Sequence, residues 1–236
     1  MPQRFTAKVI SKEKVSSKVY LVIFQLIDPP EIEFNAGQNI MLMIAPEVNR
    51  VMSIASPPNL KNQILMVHDV SPMGPGSIWT LNLAVGDQME FMAPTGGALA
   101  LIDSPRKKVF VATGTGIAPF RSMIIDCLSR YELLTMNYEL ILYWGLRLEE
   151  DIYWKEEFEN LEKQYPNFHF YLVLSKASDH WQGKTGHVTE HVLNEEKDLE
   201  NSDFYLCGNK EMVKELEEQL LAKNVPKERI KTELFY

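Results

Sequence analysis

Cysteine is scarce in this chain of 236 residues: there are two, Cys127 and Cys207, 80 positions apart and without a Cys-x-x-Cys pair. That scarcity excludes a cysteine-built zinc site or a cysteine-ligated iron–sulfur cluster, and fits a reduced, cytoplasmic protein. Long apolar runs are missing too. None is long enough to span a bilayer, and residues 1–18 mix Arg4, Lys8, Lys12 and Lys14 with polar residues where a signal peptide would need an apolar stretch. Positive charge is in deficit. The net charge of −8 argues against general nucleic-acid binding. Residues 1–104 carry 7 Lys/Arg against 9 Asp/Glu, and the remainder 17 against 23, so the first part is the less acidic but is not a basic docking face. No repeat of fixed period and no low-complexity segment occurs.

What is present changes texture partway along. Up to about residue 103 the chain reads as short β-prone runs separated by Pro, Gly and Asn: "FTAKVISKEKV", "VYLVIFQLI", "QNIMLMIA", "RVMSIAS", "QILMVHDV" and "QMEFMAP". One short stretch, "GPGSIWTLNLAVGD", looks helical. Strands at this spacing predict a small antiparallel barrel or sandwich over residues 1–103. After the linker-like "SPRKK" (104–108), strands alternate with helical patterns. The strands are "KVFVA", "ELILYWG", "FHFYLVLS", "DFYLCG" and "RIKTELFY". The helices are 117–130, "EEDIYWKEEFENLEKQ", one starting near His187, and "KEMVKELEEQLLAK". This alternation predicts a five-stranded parallel sheet with helices on both faces over residues 104–236.

The turn after "KVFVA" carries the first chemical signal. Gly114 and Gly116 stand between a strand and a helix, where free backbone N–H groups face an anion. Position 119, where a dinucleotide fingerprint places a third glycine, is proline. Proline is tolerated in a first helical turn, because its missing N–H has no partner there. Alone, this Gly-x-Gly turn fits a structural turn as well as a phosphate site.

Six motifs in fixed order carry more: "RVMSIAS" (50–56), "GPGS" (74–77), "GTGIAPFRS" (114–122), "WGLR" (144–147), "GKTGHV" (183–188) and "CGNKEM" (207–212). Together they resemble the ferredoxin–NADP reductase-like flavoprotein superfamily over essentially the whole chain. The resemblance implies an N-terminal barrel that holds FAD and a C-terminal α/β domain that holds NADPH or NADH. On the flavin side it implies Arg50 on a phosphate, Ser53 beside the flavin N5 and the helix start Gly76–Ser77 on the pyrophosphate. On the nicotinamide side it implies Thr115, Gly116, Pro119, Arg147 and Gly208, with Cys207 close to the nicotinamide ring. Val51, Met52, His68, Val70 and Met212 are further cofactor-contacting candidates. Ser175 and Lys176 match the place where the family reads a 2′-phosphate, which leans the choice toward NADPH. Glu233, followed by Phe235 and Tyr236, matches a C-terminal Glu and aromatic that cover the flavin. Ser53, Cys207 and Glu233 are thus the candidate catalytic residues.

Two departures stand out. Met52 occupies the position where the family usually has a ring-stacking tyrosine, and a thioether lacks the broad π face and the phenol. Tyr236 is an addition beyond the family aromatic, Phe235. A decoy also occurs: "HVTEH" (187–191) has the spacing of inverted zinc peptidases, but no convincing third ligand accompanies it. His187 and His191 therefore read as a solvated helix face. The implied activity is a flavin-dependent NAD(P)H oxidoreductase that passes electrons to a redox protein such as ferredoxin, flavodoxin or an oxygenase component. The alternatives are an NAD(P)H–flavin reductase that uses free flavin, and a non-catalytic flavin- or nucleotide-binding subunit. Nucleic acid, membrane and metal are not expected partners.

Overall fold

The computed structural model describes residues 2–131 and 138–235. The chain divides into two compact units, one of Met1–Leu101 with Ala118–Cys127 and the other of Ile102–Ile117 with Leu128–Tyr236.

The first unit holds strands β1 (Gln3–Lys14), β2 (Val19–Asp28), β3 (Asn39–Ala45), β4 (Val48–Ser53), β5 (Gln63–Asp69) and β6 (Gln88–Thr95), with one helix, α1 (Pro75–Asn82), between β5 and β6. All six strands join one antiparallel sheet in the order β4-β3-β6-β1-β2-β5. Alternation explains the core. Phe5, Ala7 and Val9 of β1, Phe24 of β2, Ile40 and Leu42 of β3, and Phe91 of β6 turn to one side and are buried together. The sheet curls so that the chain just past β4 reaches β5, where Ala55 N donates to Leu65 O (2.9 Å) and Leu65 N to Ser56 Oγ (3.1 Å).

The second unit contains β7 (Lys107–Thr113), β8 (Leu140–Leu146), β9 (Phe168–Leu174), β10 (Lys184–Thr185), β11 (Ser202–Asn209) and β12 (Ile230–Phe235), paired in parallel in the order β10-β9-β8-β7-β11-β12. The two-residue edge strand β10 is one more than the five strands expected; a segment that short carries no period-2 pattern to read. β7 and β11 are covered on both faces, as near-continuous apolar parallel strands must be. Val109, Val111, Phe204 and Leu206 pack with α4 (Val188–Glu195) and α5 (Lys210–Ala222). On the opposite face Phe110 stacks on Tyr205, and Trp144 of β8 meets Phe158 of α3 (Lys155–Gln164).

The run "EEDIYWKEEFENLEKQ" does not form one helix. It breaks into a 3₁₀ turn, Glu149–Asp151, and α3, because Trp154 adopts a left-handed φ of 56°. The break lets Tyr153 bury its ring edge-on against Trp144, at a centroid distance of 4.9 Å.

The expected linker residues are tied into the second unit. Lys108, fully buried on β7, donates to Asp203 Oδ2 (2.7 Å), Ser104 Oγ (2.7 Å), Ile102 O (2.9 Å) and Ser104 O (3.0 Å). Arg106 Nε reaches the other oxygen of Asp203 at 2.8 Å. α2 (Ile117–Tyr131) follows the Gly114–Gly116 turn. Its Arg121 and Ser122 side chains donate to Ala55 O and Ser56 O, both at 2.8 Å. No helix among the described residues is long and apolar enough to cross a membrane.

Candidate functional site

In the first unit, three segments far apart in sequence converge. Arg50 lies on β4, His68 on β5 and Gly76 in the first turn of α1. A Cβ placed on Gly76 would meet Arg50 Cγ and His68 Cε1, each at 3.3 Å. Arg50 directs Nη1 to Asn49 O at 2.7 Å and makes no ion pair among the described residues. His68 Nδ1 lies 2.7 Å from Thr80 Oγ1 of α1. Burial lowers the His68 pKa; Asp69 works against that and Arg50 adds to it. The imidazole is therefore biased toward its neutral form, and Arg50 supplies the local positive charge.

α1 is built to leave its first turn open. Its N-cap is Gly74, no side chain caps it, Pro75 follows and no acidic residue stands in the first turn. The N–H groups of Gly76 and Ser77 thus lack the carboxylate or hydroxyl that ordinarily satisfies such donors. The last turn has no basic residue of its own, yet Lys12 of β1 donates to Leu81 O and Leu83 O, both at 2.8 Å. That contact anchors the helix from its far end and complements its dipole.

Strand geometry sorts the "RVMS" residues. Arg50 and Met52 are the register partners of Leu42 and Ile40, so all four share a sheet face, and Met52 packs partly against the barrel core. Val51 points to the other face and is 58% exposed. Ser53, buried, is the cross-strand partner of Asn39. Val70 is buried, with its N–H donated to Lys18 O at 2.8 Å.

The second unit gathers its candidates at the carboxyl ends of parallel strands, where ligands of such sheets bind. After β7, Gly114 has φ +56° and open space around its missing side chain, while Thr115 is half-buried. This turn has no side-chain cap, and Trp144 Nε1 donates to Gly114 O at 2.9 Å. Gly116 is pressed against β11, where an added Cβ would come within 2.6 Å of the Cys207 carbonyl carbon. Gly208, at φ +133°, leaves no more room, since a Cβ there would lie 2.6 Å from Thr113 O. Pro119, which belongs to the first unit's part of α2, is buried in the first turn of that helix. By contrast α5 caps itself, with Asn209 Oδ1 accepting from Glu211 N (2.7 Å) and Met212 N (3.3 Å). The Met212 side chain packs in the core beneath.

At the neighbouring strand ends, Ser175 N donates to Leu146 O (3.0 Å) and Lys176 N to Arg147 O (2.9 Å), so the loops after β8 and β9 are stitched together. Both cationic side chains are exposed, and neither has an ion pair among the described residues. Cys207 is fully buried and pairs in register with Glu233 of β12. Burial raises its thiol pKa well above the ordinary value and the Glu233 charge raises it further. Cys207 is therefore a neutral thiol rather than a thiolate nucleophile. The backbone of Phe235 ends β12; Tyr236 lies outside the described residues.

The "HVTEH" segment is no solvated pair of histidines. His187 precedes α4 as its N-cap and is exposed, whereas His191 is largely covered, with Nδ1 2.9 Å from Glu195 Oε1 and Nε2 2.8 Å from Thr185 O. Among the described residues no cluster could hold a metal ion.

Uncapped donors beside Arg50 in one unit and an open Gly-Thr-Gly turn in the other suit phosphate groups of two nucleotide cofactors. The comparisons agree. Residues 6–99 match the family model for the oxidoreductase FAD-binding domain, and residues 110–218 that for the oxidoreductase NAD-binding domain. The chain is 29% identical over 218 residues to an NAD(P)H-flavin reductase of Vibrio harveyi, covering 90% of each protein. It is also 29% identical over 218 residues to ferredoxin–NADP reductase B of Sorangium cellulosum, covering 89% of this chain and 88% of that one. Some other curated relatives are longer, and the chain spans 34% to 61% of their length. Among solved structures, the cytochrome P450 reductase GcoB of Amycolatopsis superposes with a TM-score of 0.89 at 24% identity, over 99% of this chain and 70% of that one. With both halves matched in this order, the chain belongs to the ferredoxin–NADP reductase-like flavoprotein superfamily and is an FAD- and NAD(P)H-dependent oxidoreductase.

Proposed function

We propose that this chain reduces a resident FAD with NAD(P)H and delivers the electrons to a separate redox protein such as ferredoxin, flavodoxin or an oxygenase component. The observation that carries the reading is the convergence of Arg50, His68 and Gly76 at the uncapped start of α1. A cradle for phosphate retains a phosphorylated flavin as a fixed cofactor, whereas a flavin used as a substrate must leave after each turnover.

The nicotinamide supplies a hydride and the flavin accepts it, so the protein's part is alignment and shielding. Arg50 neutralises a flavin phosphate, a task suited to a guanidinium fork. The amides of Gly76 and Ser77 hold the pyrophosphate, and Ser53 stands by the reacting edge of the ring. Met52 lays a thioether, rather than a phenol, against the flavin. On the nicotinamide side Thr115 and Gly116 receive the coenzyme pyrophosphate. Cys207, kept neutral, and its register partner Glu233 border the nicotinamide. Arg147 and Lys176, free of ion pairs among the described residues, favour the extra phosphate of NADPH. With two widely spaced cysteines and no metal cluster among the described residues, the electrons pass from the flavin to an external acceptor.

A second reading, an NAD(P)H–flavin reductase acting on free flavin, is favoured by the full-length likeness to the Vibrio harveyi protein. The absorbance spectrum of the purified protein separates the two. Stoichiometric bound FAD with turnover of a protein acceptor supports the first, and colourless protein that reduces added flavin supports the second. Arg50→Ala should weaken FAD binding by about one to two decades, since a charge-assisted hydrogen bond contributes roughly 1.5–3 kcal/mol. Unchanged FAD content after dialysis would remove Arg50 from the site.

A further inference from the structure

The loops after β8 and β9 hold a carboxylate to which the hydride transfer assigns no role. Glu149 opens the 3₁₀ turn that follows β8, and its Oε1 accepts a hydrogen bond from Ser178 N, 29 residues further on, at 3.1 Å. This is a third bond between the two loops, beyond those from Ser175 N to Leu146 O and from Lys176 N to Arg147 O. Ser178 is itself held in place: its carbonyl accepts from Trp181 N at 3.1 Å and its Oγ from His180 N at 3.3 Å. Trp181 in turn lies against Gly183 and donates from Nε1 to Lys184 O, at the start of β10, at 3.1 Å. The carboxylate is thus fixed at one place while it stays exposed to solvent. Hydrogen bonds from the Ser178 hydroxyl and backbone N–H hold the Glu149 carboxyl below the ordinary carboxylate range, so it is charged at neutral pH.

Arg147 stands two residues before Glu149, and Lys176 two before Ser178, yet among the described residues neither cation forms an ion pair with this carboxylate. A neutral serine holds it instead. Glutamine would accept from Ser178 N equally well, so joining the loops does not call for the charge. The charge does act on a ligand. An ionised carboxylate is an acceptor only, so a ribose hydroxyl can donate to it in a charge-assisted bond, whereas a phosphate on the same carbon offers it nothing but repulsion. We propose that Glu149 is a specificity-determining residue: it accepts a hydrogen bond from the coenzyme's ribose hydroxyl and offsets the pull of Arg147 and Lys176 on a 2′-phosphate, so that the chain uses NADH as well as NADPH. This rests on the reading that Ser175 and Lys176 meet the 2′ position. In the sequence Glu149 is one of the acidic run "EED", and nothing local sets it apart from its neighbours. Only the bond to Ser178 does.

The test uses the full chain with FAD and three substitutions. Glu149→Gln keeps an acceptor for Ser178 N and removes the charge, Glu149→Ala removes both, and Lys176→Ala removes a cation. Two readouts are taken: the dissociation constants of 2′,5′-ADP and 5′-AMP, which differ only at the 2′ position and need no flavin chemistry, and kcat/KM for NADPH and NADH. Glu149→Gln should tighten 2′,5′-ADP by about three- to tenfold, the size of one exposed charge contact in water, and leave 5′-AMP within about twofold. Glu149→Ala should also weaken 5′-AMP, by about three- to tenfold, because the hydroxyl loses its acceptor. The NADPH-to-NADH ratio of kcat/KM should rise about tenfold in both Glu149 variants. Equal losses for the two fragments would mean that Glu149 only joins the loops, and an unchanged ratio that it does not face the ribose; either result overturns the proposal. Lys176→Ala locates the failure. If it lowers the ratio while the Glu149 variants leave it unchanged, Glu149 alone is overturned. If none of the three variants moves the ratio, the reading of these loops as the 2′ site falls, and the proposal with it.

Discussion

Gly76 in the first unit and Gly116 in the second both stand at a turn without a side-chain cap where a helix begins, yet they are glycines for different reasons. An added Cβ at Gly76 would touch only the stem of Arg50 and the ring edge of His68, at 3.3 Å. Both are side chains able to give way. At Gly116 the same atom would enter the backbone of β11, 2.6 Å from the Cys207 carbonyl carbon and 2.8 Å from Gly208 Cα. Strand β11 cannot retreat, since it is hydrogen-bonded to β7 on one side and β12 on the other. The Gly114–Gly116 turn is thus specified by backbone packing inside a two-sided sheet. The start of α1 is specified instead by side chains, Arg50 and His68, on a curled antiparallel sheet.

The largest expected effect attacks the rigid side of this comparison. Lys108→Met removes the ammonium that ties Ile102 and Ser104 to Asp203, and breaking a buried pair costs about 3–5 kcal/mol. Urea denaturation of the second unit should show it. The same lock predicts an acid limb. Burial alone would raise the Asp203 pKa, but hydrogen bonds from Lys108, Ser104 and Arg106 outweigh it and hold the carboxyl below its ordinary value. With a depressed folded pKa, its stabilisation is complete above the unfolded value of about 3.9 and is lost as pH falls through the folded one. Asp203→Asn should therefore flatten the stability profile below about pH 4.

Next in size, Gly116→Ala should destabilise the second unit by about 3 kcal/mol, as overpacking against fixed backbone does, and abolish NAD(P)H binding while FAD content persists. Gly76→Ala should sharpen the contrast. Its cost to stability should stay under about 1 kcal/mol, because flexible side chains absorb the methyl group. FAD binding should still weaken by about tenfold in a dialysis or absorbance titration. Equal stability losses for the two glycines would erase the distinction between them.

Every strand but the two-residue β10, and the helix starts of α1, α4 and α5, were legible within a few residues, because period-2 and period-3.6 burial are written locally. Local reading failed where packing intervened. The acidic run after β8 has helical composition throughout, but burying Tyr153 against Trp144 forces Trp154 into a left-handed turn. His191, read as solvated, is covered because the edge strand β10 brings Thr185 O to its ring. Lys108, placed in a linker by its neighbours Pro105, Arg106 and Lys107, is buried because its partner waits 95 residues away.

The sequence by itself determined the two kinds of sheet, the open glycine turns and the order of the motifs, all of which depend on residues adjacent or nearly adjacent in the chain. Only the tertiary structure decided which side chains would meet. Arg50, His68 and Gly76 come from three separate segments, and nothing local to any of them encodes the other two. Asn39 became an unpaired acceptor opposite Ser53 only when β3 and β4 settled into register. Register fixes the face on which every residue of a strand points, and a slip of one residue would have turned Asn39 and Ser53 to the other side of the sheet.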